Sequence, residues 1–145
     1  MEYPKDKKKF IKEFANRTIE NYTYIKSREG APDFSVTQLI NSFLGLIVFP
    51  SEGIENYELL SELRKKKLDQ INWLEFEYVA HPEIEENTPQ EFGDFIRFLR
   101  HGIAHGLLDF ETEGETKEIS AILIRNDERR YKGMKVRIRI EQIDK

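Results

Sequence analysis

Hydrophobic residues recur every three or four positions in four segments of the chain, which is the spacing of an amphipathic α-helix. The pattern predicts helices over residues 6–27, 35–49, 57–76 and 88–109. The second predicted helix carries the densest hydrophobic stripe, and Pro50 is expected to end it because proline lacks a backbone donor. We therefore expect this helix to lie at the centre of the core.

The spacing of hydrophobic residues changes from helical to alternating after Asp109. Apolar residues at every second position in residues 119–124 and 136–140 indicate two β-strands. Gly133 lies near the expected turn between them. The sequence thus predicts a mainly α fold, with a core of four helices and an appended C-terminal antiparallel β-hairpin over residues 117–141.

Length and composition favour one folded domain. No Pro-, Gly- or Ser-rich linker divides the 145 residues, so we predict a single domain over residues 1–145. Aromatic residues make up 12% of the chain, too many for a disordered polyampholyte. Cysteine is absent and no apolar run approaches the roughly 18 residues of a membrane span, so a cytoplasmic protein is expected.

The charge distribution limits how the chain can contact nucleic acid. A formal net charge of -4 argues against coating of nucleic acid by bulk electrostatics. Residues 125–139, however, hold seven basic residues against two acidic ones, Asp127 and Glu128. We therefore expect a basic tip on an acidic body and only local contacts with RNA.

The candidate chemistry lies on the fourth predicted helix. Its core-facing stripe consists of the apolar residues Phe92, Phe95, Ile96, Leu99, Ile103 and Leu107. Arg97, His101 and His105 are four residues apart, so they form one ridge beside that stripe. Arg100 lies on the flank, about 140° around the helix from His105. A bound phosphate suits this arrangement, because both side chains can reach around it.

The polar side of the same helix has features of a packing surface. It carries Phe98 and Leu108, and four small residues leave little side-chain bulk there: Gly93, Gly102, Ala104 and Gly106. A fully solvated face would not have this composition. We expect a second element to pack on it, most simply the same helix of a second subunit, so that a homodimer brings two copies of the cluster together.

Arg100 and His105, in the string RHGIAHG, resemble the Arg-x4-His motif of the HEPN superfamily. The resemblance extends to the second helix, VTQLINSFLGLIVFP, to the motif helix, FGDFIRFLRHGIAHG, and to the final strand pair. Together these segments look like the plasmid-associated HEPN nuclease branch. The resemblance implies a HEPN-like bundle of four to five helices and a metal-independent endoribonuclease that needs no cofactor.

The resemblance also implies a homodimer whose motif helices face each other, and a toxin or defence ribonuclease with a cognate antitoxin or defence partner. His105 is the candidate base for a ribose 2′-OH, because imidazole suits proton transfer near neutral pH. Arg100 is the candidate for binding the phosphate. His101 occupies a position that is often polar in the superfamily, and its role is open between phosphate binding and protonation of the leaving 5′ oxygen.

Two further residues are candidates for substrate binding. Arg97 is one, although an ion pair with Asp94 three residues earlier is the favoured interpretation. Asn41 is the other, since an amide among apolar neighbours must find partners. For Asn41 a structural hydrogen bond to the motif helix is the favoured interpretation.

Two other classes of function stay open from the sequence. His101, His105 and Asp109 have the spacing to hold one divalent metal from a single helical ridge, as in a metal-dependent hydrolase. This signature is incomplete, because no glutamate base lies between the histidines and no distant third histidine completes the set. The other alternative is a catalytically inactive HEPN dimer that binds protein or RNA.

Overall fold

A computed structural model describes residues 6–28, 35–53, 62–71, 75–79, 88–114, 118–131 and 133–143 of the protein. Contacts within the chain define two compact units, Met1–Gly53 and Ile54–Lys145. The single domain inferred from the sequence stays a prediction.

The first unit contains two long helices that pack on each other, α1 (Lys7–Lys26) and α2 (Ser35–Gly53). The Asp6 side chain caps α1 by accepting a hydrogen bond of 2.9 Å from the Lys9 backbone N–H. Leu39, Ile40 and Ile47 are buried. Contrary to expectation, α2 does not end before Pro50 but continues through it to Gly53.

The second unit combines helices with a four-stranded antiparallel sheet. Its elements in chain order are a 3-10 helix (Leu68–Gln70), β1 (Glu77–Val79), α3 (Phe92–Ala104), β2 (Leu108–Glu113), β3 (Glu118–Arg125), a 3-10 helix (Arg129–Tyr131), β4 (Lys135–Arg139) and α4 (Ile140–Ile143). The strand order is β1-β4-β3-β2. The expected mainly α bundle is therefore wrong, since helices and a substantial sheet share the fold.

Two strands of the sheet were not expected from the sequence. Strand β2 begins in the last two residues of the predicted fourth helix, and β1 directly follows the predicted third helix. Within that third predicted range, residues 62–64 are helical and Leu68–Gln70 form a 3-10 helix, while its expected start at residue 57 lies outside the described residues. Phe76 and Tyr78 explain β1, because their rings pack on Phe95 of α3 with centroids 4.2 and 6.3 Å away. Packing of these aromatic rings against α3 favours the extended conformation of the segment.

Strands β3 and β4 pair as the hairpin that the alternating pattern predicts, with Ile122 opposite Ile138 and Ile124 opposite Val136. Gly133 has a φ of 87° between the two strands. Strand β2 then adds to the other side of β3. Successive residues of β3 from Ala121 to Ile124 are all buried, so both of its faces contribute to the core.

Helix α3 is shorter at both ends than the predicted range of 88–109. At its start, Leu68 donates to the carbonyl of Gln90 and Phe92 donates to the carbonyl of Lys66, each at 2.9 Å. This backbone pairing holds the residues just before Phe92 extended. None of the helices in the described part of the chain is both long and apolar enough to span a membrane.

Much of the α3 face that was expected to meet a second subunit packs within its own unit, although Ala104 and Gly106 on that face are exposed. Phe98 is 0% exposed, together with Phe95 and Leu99. A Cβ atom on Gly102 would overlap the carbonyl oxygen of Arg125 at the end of β3, and one on Gly93 would lie 2.9 Å from the Arg64 Cβ. The glycines thus admit neighbouring segments of the same chain.

We predict that Gly102→Ala destabilises the protein by about 1–3 kcal/mol, as overpacking against backbone atoms typically does. Equilibrium urea unfolding measures the effect. Gly45→Ala on α2 is the matched control, because its new Cβ would meet its nearest atom, in the Phe14 ring, at an ordinary 3.9 Å. The control should be neutral or stabilising, since alanine favours helix. Equal effects of the two substitutions would contradict the close approach of α3 and β3.

Candidate active site at the end of helix α3

The last turn of α3 is closed by a Schellman motif that fixes the position of His105. Gly106 has a φ of 66°, and its N–H donates to the carbonyl of Ile103 at 3.1 Å. The N–H of Leu107 donates to the carbonyl of Gly102 at 2.8 Å. His105 is therefore the C-cap residue, and its side chain is exposed. The chain enters β2 directly after this turn.

The structure brings the two histidines of the motif into contact. The rings of His101 and His105 have centroids 4.4 Å apart at an interplanar angle of 43°. Arg100 precedes His101 on α3 and is half-buried. Three of the residues predicted to form the site thus lie together at the C-terminal end of α3, with one imidazole exposed and one largely covered.

Two carboxylates cover the ring of His101. Its Nε2 atom lies 2.5 Å from Asp127 Oδ1, and its Nδ1 atom lies 3.3 Å from Glu128 Oε1. The His101 side chain is 20% exposed, whereas that of Asp127 is 69% exposed. Both ring nitrogens of His101 therefore face acidic groups, and the hydrogen bond with His101 holds the pKa of Asp127 below its ordinary value.

Residues 126–128 carry these carboxylates, and we call them the acidic turn. Asn126 is 2% exposed and ties the turn to α3, because its Nδ2 donates to the Phe98 carbonyl at 3.2 Å. Its Oδ1 accepts from the Glu128 backbone N–H at 2.8 Å. The buried amide thus satisfies a helix carbonyl and the turn at the same time.

Arg97 and Asp94 do not form the ion pair favoured from the sequence. Arg97 Nη2 lies 3.9 Å from Glu128 Oε1, at the edge of ion-pair distance, and its side chain is 64% exposed. Asp94 Oδ2 instead pairs with Arg130 Nη2 at 3.0 Å. Arg97 therefore lies beside the acidic turn, and substrate binding by this residue stays a prediction.

Ion pairs neutralise part of the expected basic tip. Within the residues that the structure describes, four of the tip's seven basic residues pair with carboxylates of neighbouring strands and helices, in the pairs Arg125–Asp109, Arg130–Asp94, Arg137–Glu77, Arg137–Glu111, Arg139–Glu77 and Arg139–Glu141. The tightest joins Arg137 Nη2 to Glu111 Oε1 at 2.6 Å. A local excess of basic residues along the chain is thus not a free cationic surface.

The proposed single ridge of metal ligands does not form. Helix α3 ends at Ala104, so Asp109 lies on β2, where its Oδ2 atom pairs with Arg125 Nε at 3.2 Å. Within the described ranges, no group of three His, Cys, Asp or Glu side chains is arranged to hold a metal ion.

The environment of Asn41 differs from the one expected from the sequence. It lies on α2 in the first unit and is exposed rather than enclosed by apolar neighbours. There it lines a groove of about 570 Å³ between α1 and α2, together with Arg17, Asn21 and Ser42. Its role in substrate binding stays a prediction.

The sequence alone does not indicate that the acidic turn lies beside the candidate site. In the sequence, Asp127 and Glu128 only reduce the positive charge of residues 125–139. An Asn-Asp pair after an apolar strand does signal a turn. Its partner His101, however, lies 26 residues earlier, and only the packing of β3 on α3 reveals it.

We predict a pH-dependent contribution of Asp127 to stability. Because its pKa is lowered in the folded protein, its contribution is present above its unfolded pKa and is lost as pH falls through the lower folded value. Asp127→Asn should therefore lower the free energy of unfolding at neutral pH and match the wild type in strong acid. Urea unfolding across a pH series measures this. A difference that is constant with pH would contradict an ionic contribution.

The whole chain, residues 1–145, matches the family model described as HEPN pEK499 p136. No curated protein and no solved structure matches the chain. HEPN proteins include many ribonucleases, and HEPN domains commonly dimerise. The Arg-x4-His spacing of Arg100 and His105 at the end of α3 agrees with this match. The chain belongs to the HEPN pEK499 p136 family, a plasmid-associated branch of the HEPN superfamily.

Proposed function

We propose that the protein is a metal-independent endoribonuclease of the HEPN type that cleaves RNA as a homodimer. The observation that carries the proposal is the contact between the rings of His101 and His105 at the exposed end of α3. Arg100 directly precedes His101 in the chain. Membership of a superfamily rich in ribonucleases supports the same reaction. A role as a toxin or defence enzyme with a cognate partner belongs to this proposal.

In the proposed reaction His105 accepts the proton of a ribose 2′-OH, because its exposed imidazole can reach a bound substrate. The 2′ oxygen then forms a bond to the adjacent phosphorus while the bond from phosphorus to the 5′ oxygen breaks. Arg100 donates hydrogen bonds to the phosphate oxygens and stabilises their added negative charge. The products are a 2′,3′-cyclic phosphate end and a free 5′-OH end.

A dimer supplies the second proton transfer. The leaving 5′ oxygen needs a proton, and His105 of the partner subunit, when protonated, can donate it if the two α3 ends face one RNA strand. The surface that pairs is then only part of the one expected from the sequence, since Phe98 and Gly102 are covered within their own unit. The exposed end of α3 around His105 is the surface that this arrangement requires.

We predict that Arg100→Ala and His105→Ala each slow RNA cleavage on the order of a hundredfold or more, because they remove a phosphate ligand and a base. Cleavage of end-labelled RNA in EDTA by purified protein measures the rates. Arg28→Ala is the control for loss of a guanidinium elsewhere, since Arg28 is exposed just after α1, with its guanidinium 5.3 Å from the Tyr24 ring centroid. Circular dichroism should show that all variants fold.

The same assay separates the alternatives. RNA should acquire a cyclic phosphate end, and a 2′-deoxy substrate should stay intact because the internal nucleophile is missing. Cleavage of the deoxy substrate, or a wild-type rate in His105→Ala, would contradict the mechanism. Loss of activity in EDTA would favour a metal enzyme, and a wild type that binds RNA without cleaving it would favour the inactive binding module.

We predict that light scattering at micromolar concentration gives twice the mass of one chain. This follows from the need for two His105 side chains at one cleavage site. Mixing wild type with His105→Ala chains should lower activity more steeply than dilution alone, because each mixed dimer lacks one histidine. An active monomer would disprove the dimer and leave the nuclease assignment standing.

A further inference from the structure

The role of His101 can be inferred from what surrounds its ring. A proton-transfer group needs one ring nitrogen that can reach the reacting oxygen. In His101 both nitrogens face carboxylates, Nε2 facing Asp127 at 2.5 Å and Nδ1 facing Glu128 at 3.3 Å. An ionised carboxylate oxygen only accepts, so each nitrogen interacts best when it carries a proton. A ring protonated on both nitrogens is a cation.

The acidic turn is anchored and is not a displaceable cover. Asn126 fastens it to the Phe98 carbonyl, and Tyr131, which is 1% exposed, packs edge-on against the Phe98 ring with centroids 5.3 Å apart. Between these two anchors, Arg130 Nη2 pairs with Asp94 Oδ2 at 3.0 Å. Three separate contacts with α3 thus hold the carboxylates in place before any substrate arrives.

We propose that Asp127 and Glu128 are positioning residues that hold His101 as a fixed imidazolium against His105. In this arrangement His101 orients His105 and does not itself transfer a proton. Among the described residues, His101 forms ion pairs with Asp127 and Glu128 of the turn, and Arg97 of α3 reaches Glu128. The expected effect of His101 on RNA cleavage rests on the proposed function, whereas the inferred charge state of His101 does not depend on it.

The first test measures the charge state directly. The ¹⁵N chemical shifts of the two ring nitrogens distinguish an imidazolium from either neutral tautomer, and they can be recorded on the whole chain at neutral pH. We expect the imidazolium pattern for His101 in the wild type and in Glu77→Gln, a control that removes an ion-paired carboxylate on β1. Asp127→Asn should show a larger neutral fraction. A neutral His101 in the wild type would overturn the proposal.

The second test separates a fixed cation from a proton-transfer group. His101→Lys and His101→Arg keep a positive charge that can pair with the acidic turn, whereas His101→Ala does not. The single-turnover rate of RNA cleavage should be on the order of tenfold higher in the faster of the two charged variants than in His101→Ala. Two charged variants are used because one of them can fail to pack. Equal losses in all three folded variants would show that the positive charge is not what His101 supplies and would overturn the proposal.

A third measurement tests positioning against simple structural support. Asp127→Asn should slow the cleavage step on the order of tenfold with RNA affinity unchanged, and Asp127→Glu should recover part of the rate. Unchanged cleavage in folded Asp127→Asn would overturn the positioning role. If the wild type cleaves no RNA, the proposed function fails, while the ¹⁵N measurement still decides whether the acidic turn holds His101 as a cation.

Discussion

The close approach of α3 to the end of β3 is the contact on which the candidate site depends. Gly102 meets the carbonyl of Arg125 at a separation that leaves no space for a Cβ atom. His101 directly precedes Gly102, and the acidic turn directly follows Arg125. One backbone contact therefore joins a histidine to two carboxylates, and any side chain at Gly102 would move them apart.

The end of α3 decides how the two histidines differ. The Schellman motif at Gly106 stops the helix directly after His105, so that His105 is exposed while His101, one turn earlier, is covered by the acidic turn. The same turn directs Asp109 into β2, away from the helical ridge. Two chemically identical side chains thus have different environments, which is the usual basis for giving them different roles in a reaction.

Ion pairs explain why the count of basic residues in residues 125–139 overstates the positive charge of the surface. The arginines of β3 and β4 lie beside glutamates and aspartates of β1 and β2, because antiparallel pairing places these strands side by side. An arginine such as Arg137, bonded to Glu111 and Glu77, has little capacity left for phosphate. Any RNA contact then depends on groups at the end of α3 rather than on a broad basic patch.

Local patterns in the sequence determined α1, α2, the motif helix, the β3–β4 hairpin and the superfamily, because helical and alternating periodicity and the Arg-x4-His spacing involve residues near in the chain. Strand β1 and the ends of α3 escaped prediction, since ring packing and long-range backbone pairing decide them. The acidic turn escaped for the same reason. Asp127 and Glu128 acquire a role only because β3 packs on α3, and that contact depends on the tertiary fold and not on any spacing that the sequence displays.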